Sequence, residues 1–111
     1  VEGYYTKIGR VVIAHGVLTD ISTNGTTSSS QLRITGVPFT INVANMQGSA
    51  RHHTVNYQTG RTMFHVEANT ALNAIRFMQS GDNVGDTVTD HGDMTDDTTD
   101  IIFSVTYMTD Q

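Results

Sequence analysis

The eight residues Ile101–Met108, IIFSVTYM, constrain the fold of this chain more than any other stretch. Ile101, Phe103, Val105 and Tyr107 fall on one side of an extended strand, and Ile102, Ser104, Thr106 and Met108 on the other. A helix would scatter those large side chains around its circumference. A strand gathers them on one face, which must then be covered by something apolar. Val11–Ile21 makes a similar demand. Val11, Ile13, His15 and Val17 share one face and Val12, Ala14, Gly16 and Leu18 the other, so this strand is expected to be covered on both sides, with Gly16 as a candidate bulge.

Between these two anchors the chain reads as further strands punctuated by turns. Tyr4–Ile8 is a short strand closed by Gly9, and Gln31–Thr35 another, with Leu32 and Ile34 on one face. Pro38, the single proline, fits only a strand start, an edge or a bulge. Asn24-Gly25, within STNGTTSSS, favours positive φ and suggests a hairpin tip. Met46–Ala50 reads as a loop, and Arg51–Tyr57 and Met63–Ala68 as strands around the turn QTGR. Ala71–Gln79 has helix-compatible composition, but Leu72, Ala74 and Phe77 form no helical stripe, so a strand is preferred. Gly81–Asp100 reads as one long acidic loop. The expected fold is all-β: an antiparallel β-sandwich, jelly-roll-like, in one domain spanning residues 1–111.

Composition bears on what covers the strands. Only 37% of the 111 residues are hydrophobic, so a thin core is expected, completed in part by neighbouring copies. The net charge of −5 and the dispersal of Lys7, Arg10, Arg33, Arg51, Arg61 and Arg76 exclude a basic patch, and with it nucleic acid or an anionic membrane as partner. No apolar stretch approaches the roughly 20 residues of a spanning helix, and no signal or lipidation motif is visible. The absence of cysteine points to folding in a reducing cytosol. A chain that starts at Val1 already in a strand is expected to continue upstream.

Motifs of chemistry are sparse. The acidic stretch holds Asp82, Asp86, Asp90, Asp93, Asp96, Asp97 and Asp100, seven of the eleven carboxylates, yet it does not meet the spacing of a calcium loop and reads as a solvated, solubilising segment. Of the five histidines, His52 and His53 point to opposite faces of a strand, while His65 and Glu67 share one. Two ligands from one chain do not make a zinc site, although a threefold axis could repeat one histidine into three. No metal and no cofactor are expected. No G-x-S-x-G, thiol nucleophile, or nucleotide-binding glycine pattern occurs, so a non-enzymatic role is expected. Asn24-Gly25-Thr26 matches a glycosylation acceptor, but reads better as a turn. For ligand contact the leading residues are His53, Tyr57 and Arg61: Tyr57 and Arg61 flank the QTG turn and His53 lies on the same strand face as Tyr57. Tyr57 in the core is the competing reading.

Three segments also carry a resemblance. GYYTKIGRVV is similar to the G-x-Y-x-K-I-G opening of carboxy-terminal domains of bacteriophage tail fibres and related virion appendages, through Tyr5, Lys7, Ile8 and Gly9. LRITGVPFT resembles their I-x-G-L-P-F-T, through Ile34, Gly36, Pro38, Phe39 and Thr40, with Val37 in place of Leu. IIFSVTYMT resembles their closing strand, through Phe103, Ser104, Tyr107 and Thr109. Arg10 stands where Asn is common, and Val105-Thr106 replaces a frequent Gly-Ser. The order and spacing match across nearly the whole chain, although Met46–Thr99 holds no such motif. The resemblance implies a homotrimeric β-sandwich at the tip of a fibre or a knob on the virion, made in the host cytoplasm. Its implied partners are copies of itself and a bacterial surface polysaccharide or outer-membrane component. A capsid or tail decoration protein without a receptor, and a polysaccharide-degrading hydrolase, are the alternatives. The motif residues include no catalytic group.

Overall fold

In the computed structural model, residues 2–43 and 46–111 are described; Val1, where upstream chain was expected, lies outside them. The strands are β1 (Glu2–Ile8), β2 (Val11–Ile21), β3 (Arg33–Ile34), β4 (Met46–His53), β5 (Met63–Asn69), β6 (Ala74–Gly81), β7 (Val84–Val88) and β8 (Thr99–Met108), with a 3₁₀ turn at His91–Asp93. All pairings are antiparallel. The sheet runs β1-β2-β8-β4-β5-β6-β3, and β7 also pairs with β6. It curls so that β6 faces β8 across the core. The Phe77 and Phe103 rings meet edge to face at 5.6 Å although two strands separate them in the sheet, and Phe64 stacks on Phe77 at 5.8 Å. The chain is thus all-β, with the two facing halves of a sandwich formed by one curled sheet.

The alternation in β8 has the anticipated effect. Ile101, Phe103, Val105 and Tyr107 are buried in a cluster with Val12, Val66 and Phe77. Fully burying each such side chain contributes about 1.5–3 kcal/mol before ordering costs. β2 has the expected ends, but only one of its faces is covered: Val12, Ala14 and Gly16 are buried, Val11, Ile13 and Val17 are half-buried and His15 is exposed. Gly16 is no bulge. It pairs regularly with Phe103 and Gly3, and a Cβ there would lie 2.9 Å from the Phe103 ring. The irregularity falls instead between Leu18 and Ile21, where Asp20 has φ 49°.

Five other expectations need correction. Met46–Ala50 is strand, not loop: Gly48 lets β4 lie so close to β8 that a Cβ would sit 2.2 Å from the Ser104 carbonyl oxygen. The strand expected over Arg51–Tyr57 ends at His53, because Thr54 turns the chain at φ 63°. That conformation is costly for a β-branched residue. Hydroxyls hold it there: the Thr54 carbonyl accepts from the Thr95 and Thr99 Oγ1 atoms, each at 3.1 Å. Asn24-Gly25 forms a turn, with Gly25 at φ 80°, but no hairpin, since β2 pairs with β1 and β8 rather than β3. The strand expected at Gln31–Thr35 shortens to Arg33–Ile34 plus a bridge from Gln31 to Asp90. Ala71–Gln79 does yield a strand, starting at Ala74 after a turn.

The acidic stretch is the fifth correction. It contains β7, the 3₁₀ turn and the start of β8. Its carboxylates organise it: one Asp93 oxygen accepts from the Gln58 and Gln79 side-chain amides (2.7 and 3.2 Å) and from the Asp90 amide (3.0 Å). Asp96 and Asp100 accept from the backbone of Thr23 and Asp20. Gln79, fully buried on β6, also bonds the Thr89 hydroxyl and accepts from the Gln58 amide. This network ties β6 and β7 to the turn at Gln58 and to the 3₁₀ turn. The Asp90 carboxyl is pushed up by burial and then by the neighbouring Asp93 charge, against a smaller opposing effect of His91.

Candidate functional site

Strand register sets the pattern of the sheet's outer face. His15 of β2 lies opposite Ser104 of β8, and Ser104 opposite Ser49 of β4. Two residues along, Val17, Ile102 and Arg51 form the next row, followed by Asp100 and His53. Each row crosses three strands at ~4.8 Å spacing, about 10 Å in all. Small serines in the first row, bounded by longer side chains, leave an open trough of about 470 Å³. A second hollow of about 290 Å³ shares Arg51 and Ile102 and extends to His53 and Asp100. Beyond His15, Tyr4 of β1 stacks on the imidazole, with centroids 5.4 Å apart and planes 27° apart. Its hydroxyl bonds Glu2.

Charge in this trough is unbalanced in one place. Lys7 donates to the Gly9 carbonyl and lies over the Phe39 ring. Arg10 pairs with Asp110 and Arg76 with Glu67. Arg61 donates to the carbonyls of Thr59 and Gly85, at 2.8 and 3.0 Å. Among the described lysines and arginines only Arg33 and Arg51 have neither an ion pair nor a side-chain hydrogen bond, and Arg51 is the one in the trough. At the far end, one Asp100 oxygen is occupied by the Asp20 amide at 2.8 Å.

The structure separates the three residues that the sequence proposed. His53 lies in the extension of the trough. Tyr57 meets His52 instead, ring edge to face at 5.2 Å with its hydroxyl 3.0 Å from Nε2. Arg61 is committed to backbone carbonyls. Among the described residues no hydrogen bond or ring contact joins any two of the three. The strand break at Thr54 is the reason: it removes the alternation that would have aligned His53 with Tyr57. His52 itself is held by structure. The Val55 amide donates to its Nδ1 at 3.4 Å, so the ring proton sits on Nε2 and is donated to Tyr57. Burial, and then the nearby His53, push its pKa below the ordinary histidine value.

His65 and Glu67 do not act together either: His65 bonds Gln47 at 2.9 Å, and Glu67 is buried against Arg76. Among the described residues no three His, Cys, Asp or Glu side chains are grouped to hold a metal ion. Sequence reasoning missed Arg51, Ser49 and Ser104 as a group. The alternation Ser49, Arg51, His53 was the available signal, but the facing residues come from strands some fifty and ninety positions apart in the chain. No family model, curated protein or solved structure matches this chain.

Proposed function

We propose that the chain is a structural domain of a virion appendage, a tail-fibre tip or similar knob, which assembles as a homotrimer and attaches to a bacterial surface. The observation that carries this reading is that the three segments bearing the tail-fibre resemblance, far apart in sequence, build one corner of the fold. Tyr5 packs edge-on against Phe39 at 5.4 Å, and Lys7 lies 5.3 Å from the same ring's centroid. The Tyr107 hydroxyl donates to the Phe39 carbonyl at 3.0 Å, and the amide of buried Thr109 donates to Arg10 at 2.9 Å. Burial pushes the Tyr107 phenol up, partly offset by the Phe39 hydrogen bond, so it is neutral and a donor across the physiological range. A resemblance that came from strand composition alone would have no reason to bring its residues into mutual contact.

Trimer formation has support at the β1 end of the sheet. Among the described residues β1 pairs with β2 alone, and its Tyr4, Tyr5 and Ile8 are 55%, 54% and 68% exposed. A bare apolar edge of this kind invites pairing with another chain, and cyclic symmetry closes it. A slot of about 310 Å³ adjoins the edge, between Tyr5 on one side and Val37 and Pro38 on the other. Three copies per fibre would also raise the avidity of a weak surface contact. Sedimentation equilibrium at micromolar concentration tests the assembly: a mass of three chains is expected, and a persistent 12.1 kDa monomer would overturn the trimer. Whole-cell binding across bacterial hosts tests attachment. A trimer that adheres to none would point to a decoration protein.

A further inference from the structure

We propose that the trough over β2, β8 and β4 is a binding site for a uronic-acid-containing oligosaccharide, with Arg51 as the residue that recognises its carboxylate; this rests on the surface-attachment reading above. Arg51 is exposed, sits in the trough, and has no acceptor among the described residues, while four of the other five basic side chains are engaged. A planar guanidinium matches a carboxylate with two parallel hydrogen bonds, which gives orientation as well as energy. The rest of the trough suits the remaining surface of a sugar. Ser49 and Ser104 present hydroxyls that bond no other described residue, and His15 adds an exposed imidazole. Ile102, 45% exposed, and Val17 supply apolar surface for the C–H face of a ring.

Asp100 sets the direction. Its carboxylate, at the β4–β8 end beside His53, repels an anion there, so the sugar carboxylate is placed on the Ser49 side of Arg51. The overall charge of −5 opposes a polyanion everywhere else, which makes the contact local and sensitive to salt. A neutral glycan would offer Arg51 only hydroxyl and ring oxygens, without the charge and paired geometry of a carboxylate.

The test is titration of the 111-residue chain with trigalacturonic acid and with its fully methyl-esterified form, followed by amide NMR shifts. The acid is expected to bind about tenfold or more tightly than the ester, with the largest shifts at His15, Ser49, Arg51 and Ser104. R51Q should abolish that preference, and R33Q, which removes the other unpaired guanidinium, should leave it intact. Equal binding of acid and ester, unchanged by R51Q, would overturn the proposal and leave the attachment reading standing. So would the absence of binding to both by a protein that adheres to cells. Loss of both saccharide and cell binding would overturn the proposal and the attachment reading together.

Discussion

The two flanks of the curled sheet are finished in different ways. β6 is a long strand with most of its residues buried, paired to β5 on one side. Its other side is shared by two short strands, β3 beside Arg76 and Ile75 and β7 beside Met78 and Gln79. Where those strands end, Gln79, Gln58 and Asp93 satisfy one another. β1 has nothing comparable: all its described side chains but Lys7 are exposed, and among the described residues no strand pairs with its outer edge. One flank therefore holds its stability within the protomer, and the other holds surface that a second chain could cover. The difference teaches that burial need not track strand length, since β1 and β6 are seven and eight residues long.

Substitutions on the β6 flank should have the largest effects. Arg76→Met leaves Glu67, 3% exposed, as an uncompensated buried charge, and should cost about 3 kcal/mol in urea unfolding. An unchanged midpoint would show that this pair contributes little to the finished flank. Gln79→Ala removes hydrogen bonds to Thr89, Asp93 and Gln58 and opens a void, with an expected loss of about 2 kcal/mol. It should also speed amide exchange in β7 before other strands respond.

A smaller effect is expected from pH. The His52 pKa is lowered in the fold from 6.5, so the unfolded chain takes up a proton more readily than the native one. Its contribution is complete above that value and is lost as pH falls through it toward the lower folded pKa. Comparing denaturation midpoints at pH 7.5 and 5.5 should show a decline that His52→Gln flattens. An unchanged slope in that variant would assign the pH response elsewhere.

The least effect on protomer stability is expected at β1. Ile8→Lys should change unfolding free energy by about 0.5 kcal/mol or less, as for most surface positions, yet shift sedimentation toward the monomer. An equal loss of stability and assembly would erase the contrast between the flanks.

How far the sequence revealed this plan depended on whether apolar alternation or local turn chemistry set each segment. The inward face of β8 was legible because every second residue is large and apolar, and β2 because Val11–Leu18 is an apolar run broken only by His15. β4 was not: Gly48, Ser49 and Ala50 look like loop, and the missing Cβ of Gly48 is what lets β4 lie so close to β8. β7 was hidden among aspartates because it is short and mostly exposed. The trough is harder still to read. His53 was noticed for its neighbours in sequence, while Arg51 acquires its setting from Ser104 and His15, which only strand pairing brings alongside.

The placement of β8 between β2 and β4 has a consequence for how the protein is made. The last of these strands to be translated lies inside the sheet, so a growing chain lacks its keystone until Thr99–Met108 has left the ribosome. Until then β2 and β4 carry bare edges and uncovered apolar faces, the conditions under which unfinished chains associate wrongly. Closure has to wait for β8, and it draws together residues some ninety positions apart, a topology that folds slowly. Losing β8 would take away the strand that joins β2 to β4 and leave the two flanks of the sheet unconnected.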